Sequence, residues 1–304
     1  MAAPRREQVV EIDDHRLKVS NLDKVLYPES GFTKAEVIDY YVRVAPVLLP
    51  HIADRGVTLR RFPDGVEGES FFEKRCPSHR PDWVGTHPGP GDRNGTIGYC
   101  ALDSTAALAW SANLAALEIH APMARGADIE APTMCVFDLD PGPRTGIPEC
   151  AEVALQIREV LDRLAGLTCL PKTSGSKGLQ LYVPLNAPHS HEHCSGFAQA
   201  VAQVLERHHP DRITSTMRKD VRPGKVFIDW SQNSRHKTTV AVYSLRARPR
   251  PTASTPVTWA EVDSAAGGAD LSFEAAEVLR RVDEHGDLFA EALELVQELP
   301  DLQA

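Results

Sequence analysis

The stretch MCVFDLDPG, residues 134–142, decides how the rest of this chain is interpreted. An apolar run that stops at a Pro-Gly pair predicts a β-strand with an exposed end. Asp138 and Asp140 are two positions apart, so in a strand both carboxylates leave the same face. Two acidic groups on one rigid face suit divalent cations, or a division of acid and base roles between them. A strand end with two solvated aspartates fits the same letters, and other parts of the chain must decide between these interpretations.

A third acidic residue also lies on a predicted strand. The segment KVFIDW, residues 225–230, places Val226, Ile228 and Trp230 on one strand face. Phe227 and Asp229 then lie on the other face. Asp229 is therefore predicted to join a sheet surface shared with the two carboxylates of the opening stretch.

The segment KTSGSKG, residues 172–178, is a Ser/Gly-rich turn between two predicted strands. It is not a Walker A motif, because GxxxxGK is absent and a strand follows instead of a helix. Its backbone N–H groups, with Ser174, Ser176 and Lys177, can hold a triphosphate as an anion nest. A plain hairpin turn has the same composition.

The charge is distributed unevenly along the chain. The net charge of −9 over 304 residues argues against a nucleic-acid partner. However, residues 207–250 contain eleven Lys or Arg and three Asp, whereas residues 261–304 contain twelve Asp or Glu and two Arg. The acidic end therefore masks a basic stretch of the kind that binds phosphate backbones. A solvated charged face also explains these counts.

A helix start follows the first predicted strand. Thr33 and Glu36 form a T-x-x-E capping box, which predicts a helix from this point. Asn21, Lys24 and Lys34 lie near its N-terminus, where free N–H groups and the helix dipole favour an anion. Ordinary surface lysines give the same pattern.

Two adjacent aromatic residues accompany basic ones. A short predicted strand carries Arg60 and Arg61, and Phe71-Phe72 follows after a turn. Neighbouring residues of a strand point to opposite faces, so these rings are not expected to share one core. An exposed aromatic ring beside basic residues is typical of a base-stacking platform. One ring in the core and one over a loop is the competing interpretation.

The apolar runs and the cysteines of the sequence indicate the cellular compartment. No apolar run approaches the ~18 residues of a membrane span, and the first residues lack the apolar core of a signal peptide. The six cysteines are scattered without a CxxC pair, which predicts reduced thiols rather than a disulfide framework or a zinc site. We therefore expect a cytoplasmic protein without membrane association.

In HSHEHC, residues 189–194, alternating His can bind metal, but a polar helix start is the preferred interpretation.

Several longer motifs occur together and in order: NLDKVLYP, FFEK, ALEIHAP, VFDLDPG, TSGSKGLQLYVPL, KVFIDWSQN, KTT and YSLRAR. Together they closely resemble the polymerase domain of bacterial ATP-dependent DNA ligase D, in the archaeo-eukaryotic primase superfamily. The resemblance runs from about residue 21 to about residue 262. It implies an α+β primase-polymerase fold, with two facing α/β subdomains, mixed or antiparallel sheets, and one RRM-like subdomain. Residues 1–20 are then an N-terminal lead, residues 21–262 the catalytic domain, and residues 263–304 an acidic helical tail.

The resemblance also implies roles for individual residues. The implied ligands of two divalent metal ions, Mn²⁺ or Mg²⁺, are Asp138, Asp140 and Asp229. The implied nucleotide contacts are His120, Ser174, Lys177, Gln232, Arg246, Arg60 and Phe72. The implied DNA contacts are Phe71, Phe72, Asn21, Lys24, Lys34 and Arg222, with Asn21 and the two lysines at a 5′-phosphate across a gap.

Two positions depart from the family pattern. Arg60 stands where relatives often carry Lys, which keeps the charge but changes the donor geometry. Gln180 stands where relatives usually carry His, and Gln hydrogen-bonds but cannot carry charge. The resemblance therefore leaves phosphate contact or nucleotide preference open at this position.

The implied function is a template-directed polymerase that extends a primer 3′-hydroxyl with NTP or dNTP. It would fill short gaps in non-homologous end joining or other break repair, on DNA with a 5′-phosphate, in the bacterial nucleoid. A separate DNA ligase and Ku are the expected partners, because no KxDG adenylation motif is present and the sequence ends at residue 304. The alternatives are a non-catalytic RRM-like nucleic-acid binder, which needs no third acid, and a glycosidase with paired carboxylates, which leaves the basic stretch unexplained.

Overall fold

The computed structural model describes residues 7–91 and 95–301. In chain order the strands are β1 (Glu7–Ile12), β2 (His15–Ser20), β3 (Val25–Tyr27), β4 (Phe32–Thr33), β5 (Thr58–Arg61), β6 (Phe71–Glu73), β7 (Thr86–Pro90), β8 (Thr96–Cys100), β9 (Ala116–Ala121), β10 (Ala124–Arg125), β11 (Asp128–Pro132), β12 (Met134–Pro141), β13 (Leu170–Thr173), β14 (Leu179–Pro184), β15 (Ile213–Thr214), β16 (Val226–Asp229) and β17 (Thr239–Val240). The α-helices are α1 (Lys34–Ile52), α2 (Thr105–Asn113), α3 (Ile147–Ala165), α4 (His191–His208), α5 (Trp259–Ala266), α6 (Ala275–His285) and α7 (Glu291–Glu294). Short 3₁₀ helices cover Lys219–Val221 and Trp230–Asn233.

The acidic strand β12 is central in a five-stranded sheet of order β13-β14-β12-β16-β15. Neighbouring strands are antiparallel except for the parallel pair β15 and β16. Residues of β12 alternate as predicted, with Phe137 and Leu139 buried in a core formed with α3 and α4. Asp138 and Asp140 consequently lie on the opposite face of this sheet.

A second sheet, of order β17-β9-β5-β6, is antiparallel throughout. Leu59 of β5 and Ile119 of β9 oppose each other and belong to a second core, which also contains residues of α1 and α2. Because side chains alternate, Arg60, Glu118 and His120 leave the other face of this sheet. The predicted capping box of α1 is present, with Thr33 accepting a hydrogen bond from the Glu36 N–H.

Polar contacts join the two sheets. The Tyr182 hydroxyl lies 2.7 Å from the Thr239 hydroxyl, and the Lys172 ammonium donates to the Val240 carbonyl at 3.1 Å. Met134, Val136 and Tyr182 of the five-stranded sheet are buried in the same core as the second sheet. These contacts hold the two sheets against each other.

Both ends of the described chain pack against these layers. The strands β1 and β2 form a hairpin whose Leu17 and Val19 are buried. Helix α5 spans the predicted boundary between residues 262 and 263, and Leu279 and Phe289 are buried in the core beside α1. The acidic, helical segment from residue 263 fits either a cover or a tail by its composition, and where described it is packed into the molecule as a cover. Residues 1–6 and 302–304 lie outside the described parts.

Three local predictions need correction. The Ala-rich run of residues 103–117, with Asp103 or Ser104 as a cap, predicts one helix. The observed helix α2 ends at Asn113, and β9 starts at Ala116 after Ala115 with a φ of +57°. The sequence after KVFIDW also predicts a turn and then a strand that carries Arg246 and Arg248. The chain is irregular there, because only an isolated bridge from Leu245 to Ala253 forms.

The third correction concerns Cys76 and Cys100, which form a disulfide, whereas reduced thiols were predicted. The Cys76 N–H donates to the Gly98 carbonyl at 2.9 Å and brings the chain after β6 against β8. The two cysteines are 24 residues apart, so their spacing in the sequence does not predict that they are close. No helix in the described residues is long and apolar enough to cross a membrane.

Candidate active site

Three carboxylates converge at the end of the central strands. Asp138 of β12 is directly opposite Asp229 of β16 in the antiparallel register, and Asp140 follows on the same face. One oxygen from each of the three carboxylates lies within 4.8 Å of the others. The grouping predicted from two separate stretches of sequence is therefore present.

The electrostatics of this cluster favour a cation. Burial, followed by the charges of Asp140 and Asp229, raises the pKa of Asp138 to about 7. Burial and the Asp229 charge also raise the pKa of Asp140. Three carboxylate oxygens at short range are hard ligands that suit Mg²⁺ or Mn²⁺, and a bound cation would relieve their mutual repulsion. The residues present therefore fit a divalent metal site.

Neighbouring side chains orient the acids. Asp229 accepts hydrogen bonds from the Ser231 hydroxyl at 2.6 Å and from the Gln232 amide at 2.9 Å. The Arg222 guanidinium stacks on the Phe227 ring, 3.7 Å from its centroid. Arg222, along with Arg246, acts to lower the pKa of Asp140, against the larger effect of burial.

Gln180 connects the acids to a buried lysine. Its side-chain amide donates to Asp138 at 3.0 Å, and its carbonyl oxygen accepts from the Lys172 ammonium. Lys172 is fully buried and also donates to the Ser254 hydroxyl at 2.7 Å. The departure from the family pattern at Gln180 thus lies in direct contact with an acid of the cluster.

A cationic cluster lies on the second sheet. His120 is 2.8 Å from a Glu118 oxygen, while Arg60 and Arg246 approach the other oxygen at 3.5 and 3.3 Å. Phe72 packs edge-on against His120, with 5.5 Å between ring centroids. The predicted nucleotide contacts on this sheet are therefore brought together.

The Ser/Gly-rich turn lies between β13 and β14, as predicted. The Ser174 hydroxyl accepts from the Ser176 and Gly178 N–H groups at 3.3 and 3.1 Å, and Lys177 is exposed. Gly175 has a φ of +66°, and a Cβ there would lie 2.7 Å from the Arg246 Cγ. This close approach brings the turn beside the cationic cluster.

Phe71 and Phe72 are both exposed, by 45% and 57%. The Arg61 and Arg60 guanidinium groups lie over these rings, each 5.2 Å from a centroid. Neither ring is in a core, which contradicts the core interpretation, and the stacking platform stays a prediction.

Asn21, Lys24 and Lys34 line a separate pocket together with Arg61. Lys24 forms an ion pair with Asp64 at 2.8 Å, and Lys34 donates to the Ser20 carbonyl at 2.7 Å. Burial, followed by the charges of Lys24 and Arg61, lowers the pKa of Lys34 to about 8. Lys24, Lys34 and Arg61 therefore converge on this pocket, and the Asp64 carboxylate lies beside Lys24.

Sequence reasoning missed two residues of the site, Glu118 and Lys172. Glu118 carried a usable pattern, because it is two residues before His120 in an otherwise apolar strand and so shares its face. Lys172 carried a weaker one, because Gln180 lies directly opposite it across the β13-β14 hairpin, whose turn the sequence predicts. Its other partner, Ser254, is 82 residues away and could not be inferred from spacing.

Acids that converge from adjacent strands, with Arg246 of the cationic cluster close enough to lower the pKa of Asp140, define the class of metal-dependent nucleotidyl-transfer enzymes. Within this class, the model of the LigD primase-polymerase domain family matches residues 33–289. The chain belongs to this family and is a polymerase domain of the primase-polymerase type. The predicted resemblance and the α+β fold are confirmed, and a non-catalytic binder is not favoured.

Individual relatives agree with this assignment. The multifunctional non-homologous end joining protein LigD of Mycolicibacterium smegmatis is 47% identical over 286 residues, covering 90% of this chain and 36% of that protein. The bifunctional LigD of Bacillus subtilis is 32% identical over 250 residues, covering 82% and 40%. The solved polymerase domain of Mycobacterium tuberculosis ligase D in complex with DNA matches with a TM-score of 0.86 and 45% identity, over 91% of this chain and 98% of that one. The chain spans a little over a third of the length of the mycobacterial relatives.

Proposed function

We propose that this domain extends a primer 3′-hydroxyl with NTP or dNTP and fills short gaps during non-homologous end joining or other DNA break repair. The observation that carries the proposal is the three-aspartate cluster, with oxygens within 4.8 Å, facing the cationic cluster around Glu118. Gap filling requires a site for the nucleotide, a metal site and a site for the downstream strand. The candidate residues for each are separate in the structure.

We propose that two divalent ions, Mn²⁺ or Mg²⁺, are held by Asp138, Asp140 and Asp229. When bound, such ions stabilise negative charge on the attacking and leaving oxygens of nucleotidyl transfer. The carboxylates supply hard ligands at fixed positions, since they project from paired strands. Gln232 fixes the orientation of Asp229 through its hydrogen bond of 2.9 Å.

We assign the nucleotide to a cleft between the acidic cluster and the cationic cluster, on its cationic side. His120, Arg60 and Arg246 would neutralise and orient its triphosphate, with Ser174 and Lys177 of the turn adding donors. Phe72 is exposed beside His120, where a base or sugar can pack against its ring. The groups hold the reacting phosphate in line with the primer terminus, which is the main contribution a protein makes to this reaction.

The DNA is assigned to the surfaces around this cleft. Phe71 is proposed to stack on the template, and Arg222 to contact a backbone phosphate near Asp140. The pocket of Asn21, Lys24 and Lys34 would hold the 5′-phosphate on the far side of a gap.

The proposed partners are DNA ends or gaps that carry a 5′-phosphate, a DNA ligase and Ku. The relatives bear end-joining names, which supports this choice. An enzyme of this kind would act on chromosomal DNA in the bacterial cytoplasm, at the nucleoid.

Primer extension by Asp138→Asn and Asp229→Asn tests the proposal. Each substitution keeps the shape but removes a charge from the metal site, so we expect the rate on a gapped duplex with Mn²⁺ to fall at least about 100-fold. Asp270→Asn, at an exposed position, is the control and should keep the wild-type rate. Near wild-type extension by either active-site variant would refute the assignment.

A further inference from the structure

Glu118 is a buried acid that no part of the metal site uses. It lies on β9, directly opposite Arg60 of β5. Its side chain is only 2% exposed. One carboxylate oxygen lies 2.8 Å from the His120 ring. The other accepts the Ala247 N–H at 3.0 Å and faces both Arg60 and Arg246.

The three basic partners come from separate parts of the chain. Arg60 is on β5, His120 is on β9, and Arg246 is in the irregular segment after β17. Glu118 is the group that all three contact in the described structure. A carboxylate without water contact is costly to bury unless it is paired, so this arrangement needs the partners to stay in place.

The pairing also leaves positive charge for a ligand. Two guanidinium groups and one imidazole share a single carboxylate, and the Nε atoms of Arg60 and Arg246 are buried without a hydrogen-bond partner in the described structure. Arg60 is additionally fixed by the Phe72 ring, 5.2 Å from its guanidinium carbon, and by the Ser70 hydroxyl at 3.2 Å. Guanidinium donors that are fixed before binding lose less side-chain entropy when they meet a phosphate.

We infer that Glu118 is the positioning residue of the nucleotide pocket, which holds Arg60, His120 and Arg246 in the arrangement that receives the triphosphate. This inference rests on the proposed function. Glu118 places a negative charge in a site whose proposed ligand is also negative. A role in positioning and a role through charge therefore predict opposite effects on ligand binding.

Two physical effects of removing the Glu118 charge have opposite signs. If the carboxylate only contributes charge, its loss makes the pocket more positive and tightens nucleotide binding. If it positions its partners, its loss releases three side chains and weakens binding, although the pocket becomes more positive. A displacement of about 1 Å in such groups can cost up to about 100-fold.

The experiment measures binding of ATP, with Mn²⁺, to the protein on a gapped duplex whose primer lacks a 3′-hydroxyl. We expect Glu118→Gln to raise the ATP Kd about 10- to 100-fold and, on the same duplex with an extendable primer, to raise KM more than it lowers kcat. Affinity for the gapped duplex alone should stay at the wild-type value. The matched control is Glu73→Gln, which removes an acid paired with Arg61 at 3.0 Å on a neighbouring strand of the same sheet.

Glu118→Asp provides a second variant that keeps the buried charge. It withdraws the carboxylate from His120 by about one bond length, so positioning predicts a higher ATP Kd, whereas a charge effect predicts no change. An unchanged or lower Kd in either folded variant would overturn the inference. Failure of the wild-type protein to bind ATP would instead count against the proposed function.

Discussion

At Gln180, the environment dictates which way the amide points. Burial lowers the pKa of Lys172 to about 7, and below that pH its ammonium only donates hydrogen bonds, so the amide oxygen faces Lys172 and the amide nitrogen faces Asp138. This order orients the Asp138 carboxylate. A residue that cannot carry charge therefore still performs a defined task beside the proposed metal site.

The role of Gln180 predicts a change in metal affinity. Gln180→Leu removes the hydrogen bond to Asp138, and partners of this kind typically change metal affinity about 10- to 100-fold. We expect Mn²⁺ titration by calorimetry, without nucleotide, to show that loss. Gln180→His should remain within about threefold, because one ring nitrogen can donate to Asp138 while the other accepts from Lys172.

Gln203→Leu, on the exposed face of α4, is the control for this titration. Wild-type Mn²⁺ affinity in Gln180→Leu would mean that Asp138 is oriented without the amide.

Single residues also show what the sequence could and could not predict. Asp138, Asp140 and Asp229 were predictable because strand alternation fixes their common face. Gly178 was not, although a Cβ there would lie 2.1 Å from the Leu139 carbonyl oxygen, between the two acids of β12. This requirement arises only when two distant strands are paired, and no local pattern contains it.

At the scale of elements, the pocket at the start of α1 predicts a substrate preference. Lys24 and Lys34 should favour gap filling on downstream strands that carry a 5′-phosphate and matter little for simple primer extension. We expect Lys34→Ala to reduce the first activity about tenfold, the value of one charged hydrogen bond, and to leave the second nearly unchanged. Lys18→Ala, exposed on β2, is the control.

We expect Lys24→Ala to have the same effect as Lys34→Ala on the two substrates, although Lys24 has a different partner. In the structure it pairs with Asp64, so a phosphate has to displace that carboxylate. Equal loss on both substrates in Lys24→Ala would contradict the assignment of this pocket.

Because only protonated Lys34 attracts a phosphate and its pKa is about 8, the advantage of a 5′-phosphate should decline as the pH rises through 8.

Elements were predicted well where a local rule applies. The capping box at Thr33 lies where the sequence predicts it. In α3, the sequence signals of Pro148 in the first turn and Gly166 past the last turn predict the helix, and Gly166 is its left-handed C-cap. The end of α2 was missed, because the Ala-rich run continues into a buried strand and both states accept alanine. The Arg246 segment was missed because its backbone is held by Thr252 and Ser254, which lie later in the chain.

For the whole molecule, charge patterning misrepresented the acidic C-terminal segment. Its acids face solvent on α6, while Val278 and Leu279 of the same helix are buried. Asp287 lies 2.8 Å from the His51 ring and 2.7 Å from the Tyr243 hydroxyl, which ties the segment to α1. Counts of charge do not show this, because a packed amphipathic helix and a solvated tail can have the same composition.

The two interpretations of this segment predict different results for a chain that ends at Gly286. Such a chain loses Phe289, which packs edge-on against Tyr182 of the catalytic sheet at 5.5 Å, and also the buried Leu299. Loss of one buried Phe side chain costs about 3–5 kcal/mol, so we expect the melting temperature to fall by roughly 10 °C in differential scanning fluorimetry. A solvated acidic tail would instead leave the melting temperature unchanged and tighten DNA binding at low salt, because its removal lowers repulsion. A chain that lacks only residues 302–304 serves as the control, and a wild-type melting temperature in the longer deletion would show that the packing around Phe289 contributes little to stability.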